Sequence, residues 1–276
     1  MKIAVLSGKG GAGKTLVAVN IASVIGNSIY VDCDVEEPNG HLFFKPENIT
    51  KTDVNIMLPK HDQEKCIGCR KCVDFCKFNA LAYVKNKVVI FDEVCHSCYG
   101  CIMVCPNKAL HMEPKTIGEI HIGKHNNTIV KSGIINIGEA SGVPIINQLL
   151  RDVEGENIVI DCPPGSACVV MESIKDADFC ILVGEPTIFG VHNLNMVYEL
   201  VKVFNKKCGV VLNKCIEGEN LAEQYCNKNK IDILGKIPWD KELGKLSSEG
   251  KILVEEDYKY KDLFKGIINN IERILK

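Results

Sequence analysis

An excess of positive charge is the first thing this sequence lacks. Its 33 Lys and Arg are matched by 35 Asp and Glu, for a formal net charge of −2. That balance excludes a nucleic-acid binder working through bulk positive charge. Long apolar runs are missing as well, since none reaches the ~18–20 residues that a bilayer-spanning helix needs. The opening residues hold no signal-peptide core, because the apolar stretch Ile3, Ala4, Val5, Leu6 is too short and glycines follow it. These absences predict a cytoplasmic protein. Without a secretory signal, fifteen cysteines do not read as a disulfide framework. In a reducing compartment, clustered cysteines more often hold metal.

What is present is an α/β pattern. At 276 residues, 46% hydrophobic, the chain can bury a substantial core. Apolar runs at 2–7, 28–33, 133–137, 157–162, 179–183, 209–212 and 231–237 read as buried strands. Helical periodicity at 15–25, 143–152, 167–175, 189–204 and 219–229 fills the intervals. This alternation predicts a mainly parallel sheet with helices on both faces. An apolar stripe through Leu263, Phe264, Ile267, Ile268, Ile271, Ile274 and Leu275 predicts a closing helix packed on the sheet, in preference to a membrane-targeting helix.

Residues 60–113 interrupt the alternation. They repeat internally at an offset of 29 residues: Cys66, Cys69, Cys72 and Cys76 match Cys95, Cys98, Cys101 and Cys105, and Ala80-Leu81 matches Ala109-Leu110. The organisation expected is one α/β domain from 1–59 and 114–276, with 60–113 a small α+β module inserted in a loop. Residues 114–132 read as an irregular return with a short hairpin, 119–122 against 128–131.

The stretch GKGGAGKT, residues 8–15, lies between a strand and a helix and fits the phosphate-loop pattern. Its glycines let backbone N–H groups curl around phosphate oxygens, helped by the helix N-terminus. Gly8, Gly10, Gly11, Ala12, Gly13, Lys14, Thr15 and Leu16 are the candidate nucleotide-binding residues. Lys14 is expected to reach the β- and γ-phosphates, and Thr15 to place its hydroxyl on Mg²⁺.

Each cysteine run is C-x₂-C-x₂-C-x₃-C, the bacterial ferredoxin spacing, in which the fourth cysteine of each run ligates the other cluster. The spacing therefore assigns Cys66, Cys69, Cys72 and Cys105 to one [4Fe–4S] cluster. Cys95, Cys98, Cys101 and Cys76 are assigned to the other. Zinc sites usually use two C-x₂-C pairs separated by a longer loop, not runs of four. Pro106 follows Cys105 in the usual way, but Lys77 follows Cys76, a departure that touches local rigidity or potential and not the ligand set. Each oxidised cluster with four thiolates carries about −2, offset in part by Lys65, Arg70, Lys71 and Lys77. Of the other cysteines, most lie in apolar surroundings and read as small buried hydrophobes.

Lys9, ahead of Gly-Gly-Ala-Gly-Lys-Thr, resembles the deviant phosphate loop of the MinD/ParA-type ATPases, a class that includes the nitrogenase iron protein. Asp32-Cys-Asp34-Val-Glu-Glu-Pro-Asn resembles switch I of that family, and Asp161-Cys-Pro-Pro-Gly165 its second acidic motif and switch II. Asn213 resembles the strand-end Asn that reads the adenine edge, and Pro238 the loop that packs against the base. The whole chain resembles MinD-superfamily ATPases with an inserted two-cluster ferredoxin domain.

The resemblance implies catalytic roles for Lys9, Lys14 and Asp34: Lys9 crosses a dimer interface to the partner's nucleotide, and Asp34 orients the attacking water. It implies a Mg²⁺ site made with Thr15, Asp32 and Asp161. ATP, Mg²⁺ and two [4Fe–4S] clusters are the implied cofactors. The implied partners are a second copy or a paralogue in an ATP-dependent dimer, and a redox protein. Cys168 stands where nitrogenase-iron-protein-like members carry one of two cluster-bridging cysteines. The second is missing near Gly138, so a buried structural Cys168 is expected. The leading function is slow, partner-stimulated ATP hydrolysis coupled to electron transfer to a partner protein or to metal-cofactor assembly. An iron–sulfur carrier ATPase is a second reading, disfavoured because the C-x₂-C such carriers usually bear late in the fold is replaced by the widely spaced Cys208, Cys215 and Cys226. A third is a MinD-like positioning ATPase with clusters as redox sensors.

Overall fold

A computed structural model describes residues 1–151 and 153–276. The chain opens with Lys2–Leu6 (β1), Lys14–Ile25 (α1), Ser28–Asp32 (β2) and the short helix Gly40–Phe44 (α2). Glu47–His61 (β3) leads out to the cysteine segment, which holds Lys71–Phe75 (α3), a hairpin of Leu81–Val84 (β4) and Lys87–Ile90 (β5), and Gly100–Met103 (α4). Leu110–His125 (β6) returns and turns into Thr128–Ile135 (β7). Then follow Val143–Arg151 (α5), Asn157–Asp161 (β8), Cys168–Ile174 (α6), Phe179–Gly184 (β9), Ile188–Val203 (α7), Lys207–Cys215 (β10), Leu221–Asn229 (α8) and Ile233–Pro238 (β11). The chain closes with Lys241–Ser248 (α9), Leu253–Glu256 (α10) and Tyr258–Leu275 (α11). Position 152, the predicted end of a helix, lies outside the described residues.

One sheet runs in the order β11-β10-β9-β1-β8-β2-β7-β6-β3. All neighbours from β11 to β7 are parallel, and β6 is antiparallel to both β7 and β3. β1 and β2 are apolar almost throughout because both faces are covered. Residues of α5, α6, α7 and α8 fill one face of the sheet. Those of α1, α2, α9, α10 and α11 fill the other. The stripe on α11 is spent there: Phe264, Ile267 and Ile271 are buried against the sheet, each burial stabilising the fold by roughly 1.5–3 kcal/mol. Among the described residues no helix is long and apolar enough to cross a membrane.

The expected short hairpin is longer than its sequence suggests. Ile122 does face Lys131, but Glu119 faces Ile134, and β6 runs back to Leu110. Between Asn55–His61 and Leu110–Thr116 the ribbon of β3 and β6 leaves the sheet and carries the cysteine segment at its tip. The segment is therefore borne on two strands and not on a loop, and Lys60 and Glu113 are both strand residues. Pro59 and Pro114 fit inside because each strand of this ribbon has one free edge there. No alternation announced β3: its first seven residues are all exposed, so no buried face imposed a period of two.

At the tip the two repeats fold alike. Gly68 and Ser97, Arg70 and Tyr99, and Asn79 and Lys108 are pairs at the 29-residue offset, and all six have positive φ. The N–H groups of Ala80 and Ala109 donate to the sulfurs of Cys76 and Cys105, at 3.4 and 3.2 Å. The cluster of buried residues that packs together here is small: Cys72, Ala80, Leu81, Cys101 and Leu110.

Candidate functional site

The loop between β1 and α1 is shaped by its glycines at two places. A Cβ on Gly8 would lie 2.3 Å from the Asn193 carbonyl oxygen. One on Gly13, at φ +93°, would lie 2.1 Å from the Asn213 amide nitrogen. Residues 9–11 and 13–15 line a cavity of about 520 Å³ together with Asp34, Glu36, Glu37 and Asn39 after β2, and Pro163, Pro164 and Ala167 after β8. That volume lies in the usual range for a small-molecule site. Ala12 and Leu16 are buried in the core beneath the loop, so only their backbone can face a phosphate.

Three carboxylates converge on Lys14. Its Nζ donates to Asp161 Oδ1 at 2.8 Å and lies 3.8 Å from Asp34 Oδ2. Burial opposes the ammonium charge, but Asp161, Asp34 and Asp32 outweigh it and hold its pKa above the ordinary lysine value. Burial, then the neighbouring Asp161, pushes the Asp32 carboxyl up to about 8. Its two oxygens accept from the backbone N–H groups of Asp34 and Gly40, so Asp32 organises the turn that presents Asp34. Asp34 is raised too, chiefly by partial burial.

Two side chains absent from the sequence-based set complete this cluster. Tyr30, fully buried in β2, donates its hydroxyl to Asp161 Oδ2 at 2.9 Å. Its ring packs at 5.0 Å on Phe44 of α2 and leaves no room for a side chain on Gly40. Glu185, after β9, pairs with Lys9 at 2.7 Å and with Lys214. Lys214 also donates to the Gly11 carbonyl at 2.7 Å. The motifs read along the chain do not include Glu185. A carboxylate beside Pro186 at a strand end was the available signal.

Asn213 is buried against the phosphate loop, its amide donating to the Ala12 carbonyl at 2.8 Å. Neither it nor the exposed Pro238 is among the residues lining the cavity. Cys168 is a correction: it is exposed at the first turn of α6. That helix turns Val170, Ser173 and Ile174 to the core, which puts position 168 on the solvent side. Cys33, Cys162, Cys180 and Cys226 are buried as expected.

The eight clustered cysteines sort into two cavities at the tip. Cys66, Cys69, Cys72 and Cys105 line one. Cys76, Cys95, Cys98 and Cys101 line the other. Each set takes three sulfurs from one repeat and one from the other. Among the described residues no three His, Cys, Asp or Glu side chains gather closely enough to hold a single metal ion. The sulfurs instead stand around the walls of hollows, with N–H donors on Cys76 and Cys105. Burial pushes the Cys101 thiol up to about 11 and raises those of Cys72 and Cys95. Iron would therefore have to displace protons as it binds. A soft four-sulfur donor set around each hollow fits a [4Fe–4S] cluster.

A model of the CobQ/CobB/MinD/ParA nucleotide-binding domain matches residues 3–254 of the chain. An iron–sulfur cluster carrier protein of Methanococcus maripaludis is 25% identical over 303 residues, covering 100% of this chain and 86% of its own. An uncharacterized ferredoxin of Methanocaldococcus jannaschii is 42% identical over 53 residues, 18% of this chain and 69% of that protein. The fold matches that of the septum site-determining protein MinD of Pyrococcus horikoshii, solved with Mg-ADP, at a TM-score of 0.62 and 17% identity. The match covers 99% of this chain and 96% of that one.

Proposed function

The chain belongs to the CobQ/CobB/MinD/ParA nucleotide-binding family, and from that premise we propose that it is an ATP-hydrolysing iron–sulfur protein. In this reading MgATP turnover governs electron transfer through two [4Fe–4S] clusters to a partner protein. Residues 1–59 and 114–276 form the ATPase domain, and 60–113 the ferredoxin-like domain. The observation that carries the proposal is the sorting of eight cysteines into two three-plus-one cavities on a ribbon rooted beside the nucleotide cavity.

The residues divide the work as follows. Lys14 exchanges Asp161 for the β- and γ-phosphates, and backbone N–H groups of 8–16 cradle them. Asp161, steadied by Tyr30, would hold Mg²⁺ together with Thr15 and Asp32, and Asp32 also fixes the turn behind them. Mg²⁺ supplies neutralisation of phosphate charge, and the clusters supply one-electron carriers. Asp34 orients water for attack. Lys9 leaves Glu185 to reach the nucleotide of a second copy or paralogue across a dimer. Asn213 and Pro238 flank the base.

Contacts that could carry nucleotide state to the tip begin in switch I. The Val35 carbonyl accepts from Ile135 at the end of β7, and Asn136 and Glu139 just beyond bond to Ile117 and Lys115 of the ribbon. From the other side, α2 runs within a few residues into β3. The test is to reduce the holo-protein anaerobically and follow its oxidation by a one-electron acceptor with MgATP, MgADP or no nucleotide. The rate should respond to MgATP in the wild type and not in Lys14→Ala. Identical rates in all conditions contradict the coupling.

A second reading, delivery of whole clusters, is favoured by the name of the full-length relative from M. maripaludis. It requires iron and sulfide to move together to an apo-acceptor. Retention of both on this chain while the acceptor is reduced excludes it.

A further inference from the structure

Among the described residues, Nε2 of His61 is the one buried side-chain nitrogen or oxygen without a hydrogen-bond partner. His61 ends β3 opposite Leu110 and lines the cavity of Cys66, Cys69, Cys72 and Cys105. Ile67, Val88 and Leu110 line the same cavity, and its polar lining residues Arg70, Tyr83 and Asn107 make no hydrogen bond to this nitrogen. Leaving such a group unsatisfied is destabilising. A neutral imidazole has one N–H donor, and sulfur in an electron-rich thiolate or cluster is an acceptor.

The internal repeat supplies a control. At the 29-residue offset His61 corresponds to Ile90, so the second repeat has no histidine at the matching position, and the polar residues lining its cavity are Lys77, His96 and Tyr99. Its own histidine, His96, is exposed and stacked on Phe78 at 3.8 Å. The two hollows share a ligand pattern and differ in this inward group.

We propose that His61 donates its Nε2–H to a sulfur of the cluster held by Cys66, Cys69, Cys72 and Cys105, and so raises that cluster's reduction potential. The inference rests on the cluster reading above. Reduction adds negative charge to the cluster, and a donor aimed at its sulfurs stabilises the reduced form more than the oxidised one. His61 is a positioning and tuning residue and not a ligand.

The test is an EPR-monitored redox titration of the full-length protein, prepared anaerobically with both clusters, beside His61→Leu and His61→Gln. Wild type should show two reduction waves. His61→Leu should move one wave to lower potential by a tenfold change in its reduction equilibrium, about 59 mV for one electron, and leave the other in place. His61→Gln, which keeps an N–H donor, should recover part of the shift. Pulsed EPR on ¹⁵N-histidine-labelled protein should detect coupled nitrogen at one reduced cluster, lost in His61→Gln, whether or not the Leu variant folds. Full clusters with neither shift nor coupling overturn the proposal alone. A wild type that forms no [4Fe–4S] clusters overturns the cluster reading and this inference with it.

Discussion

At the nucleotide end the titratable groups already have partners before any ligand arrives. Lys14 is held by Asp161, Asp161 by Tyr30, Asp32 by two backbone donors, and Lys9 and Lys214 by Glu185. At the cysteine end eight thiols face two hollows over a core of five buried residues, two of them cysteines assigned as ligands. The first site sits on a sheet buried on both faces and can hold its geometry alone. On the reading proposed above, the second has too little apolar core to stand without its clusters, as is usual for so small a unit. Ligand binding therefore means different things at the two ends: exchange of partners at one, completion of folding at the other.

The strongest way to break this contrast is to withhold iron. Protein purified without clusters, or carrying Cys101→Ser, should lose hydrogen-exchange protection across 62–109 while β1, β8 and β9 stay protected. Equal protection with and without clusters would remove the distinction. At the nucleotide end, Lys14→Ala should lower ATP hydrolysis by about 10²–10³-fold, the loss typical of a group that stabilises developing charge. It should also lower nucleotide-free stability by about 3–5 kcal/mol, because Asp161 loses its buried partner, yet leave iron and sulfide content unchanged.

A pH series sharpens the same boundary. The Asp32 carboxyl titrates near 8 in the folded protein and near 4 when unfolded. Its contribution is fully present below about pH 4 and is lost as the pH rises toward 8, because the folded state holds a proton the unfolded state has released. Nucleotide-free thermal stability should therefore fall across that window, by at most about 1.4 kcal/mol per pH unit. Asp32→Asn should flatten the slope. A smaller effect is expected from Tyr30→Phe, which strips one donor from buried Asp161. The cost is about 1–3 kcal/mol, with a raised Mg²⁺ requirement for hydrolysis and an unchanged cluster spectrum.

The two ends also differed in how far the sequence disclosed them. The phosphate loop and the cysteine runs are local patterns, in which ligand chemistry dictates spacing over a few residues, so both were readable along the chain. The parallel strands other than β7 were readable because burial on both faces makes them mostly apolar. β7 was read in two pieces, 128–131 and 133–137, because Lys131 and Ser132 interrupt its apolar run. β3 and the outer half of β6 were not readable, since a ribbon with mostly exposed faces carries no hydrophobic period. Tyr30 was hidden for the opposite reason: in the run Ser28–Asp32 it passes for a core residue, and its partner Asp161 is far away in sequence. Cys168 was misjudged because the general tendency of cysteine to be buried says nothing about which side of a helix meets the sheet.

What joins the ends is the path from Val35 through Ile135 and Asn136 to Ile117 of β6, at the root of the ribbon of β3 and β6. Hydrogen exchange on the holo-protein with MgATP and with MgADP tests that path most directly, read at Asn55–His61 and Leu110–Thr116. Coupling predicts that protection in the ribbon changes with the nucleotide, and that Lys14→Ala abolishes the change. A nucleotide response confined to residues 8–40, with the ribbon indifferent, would contradict it.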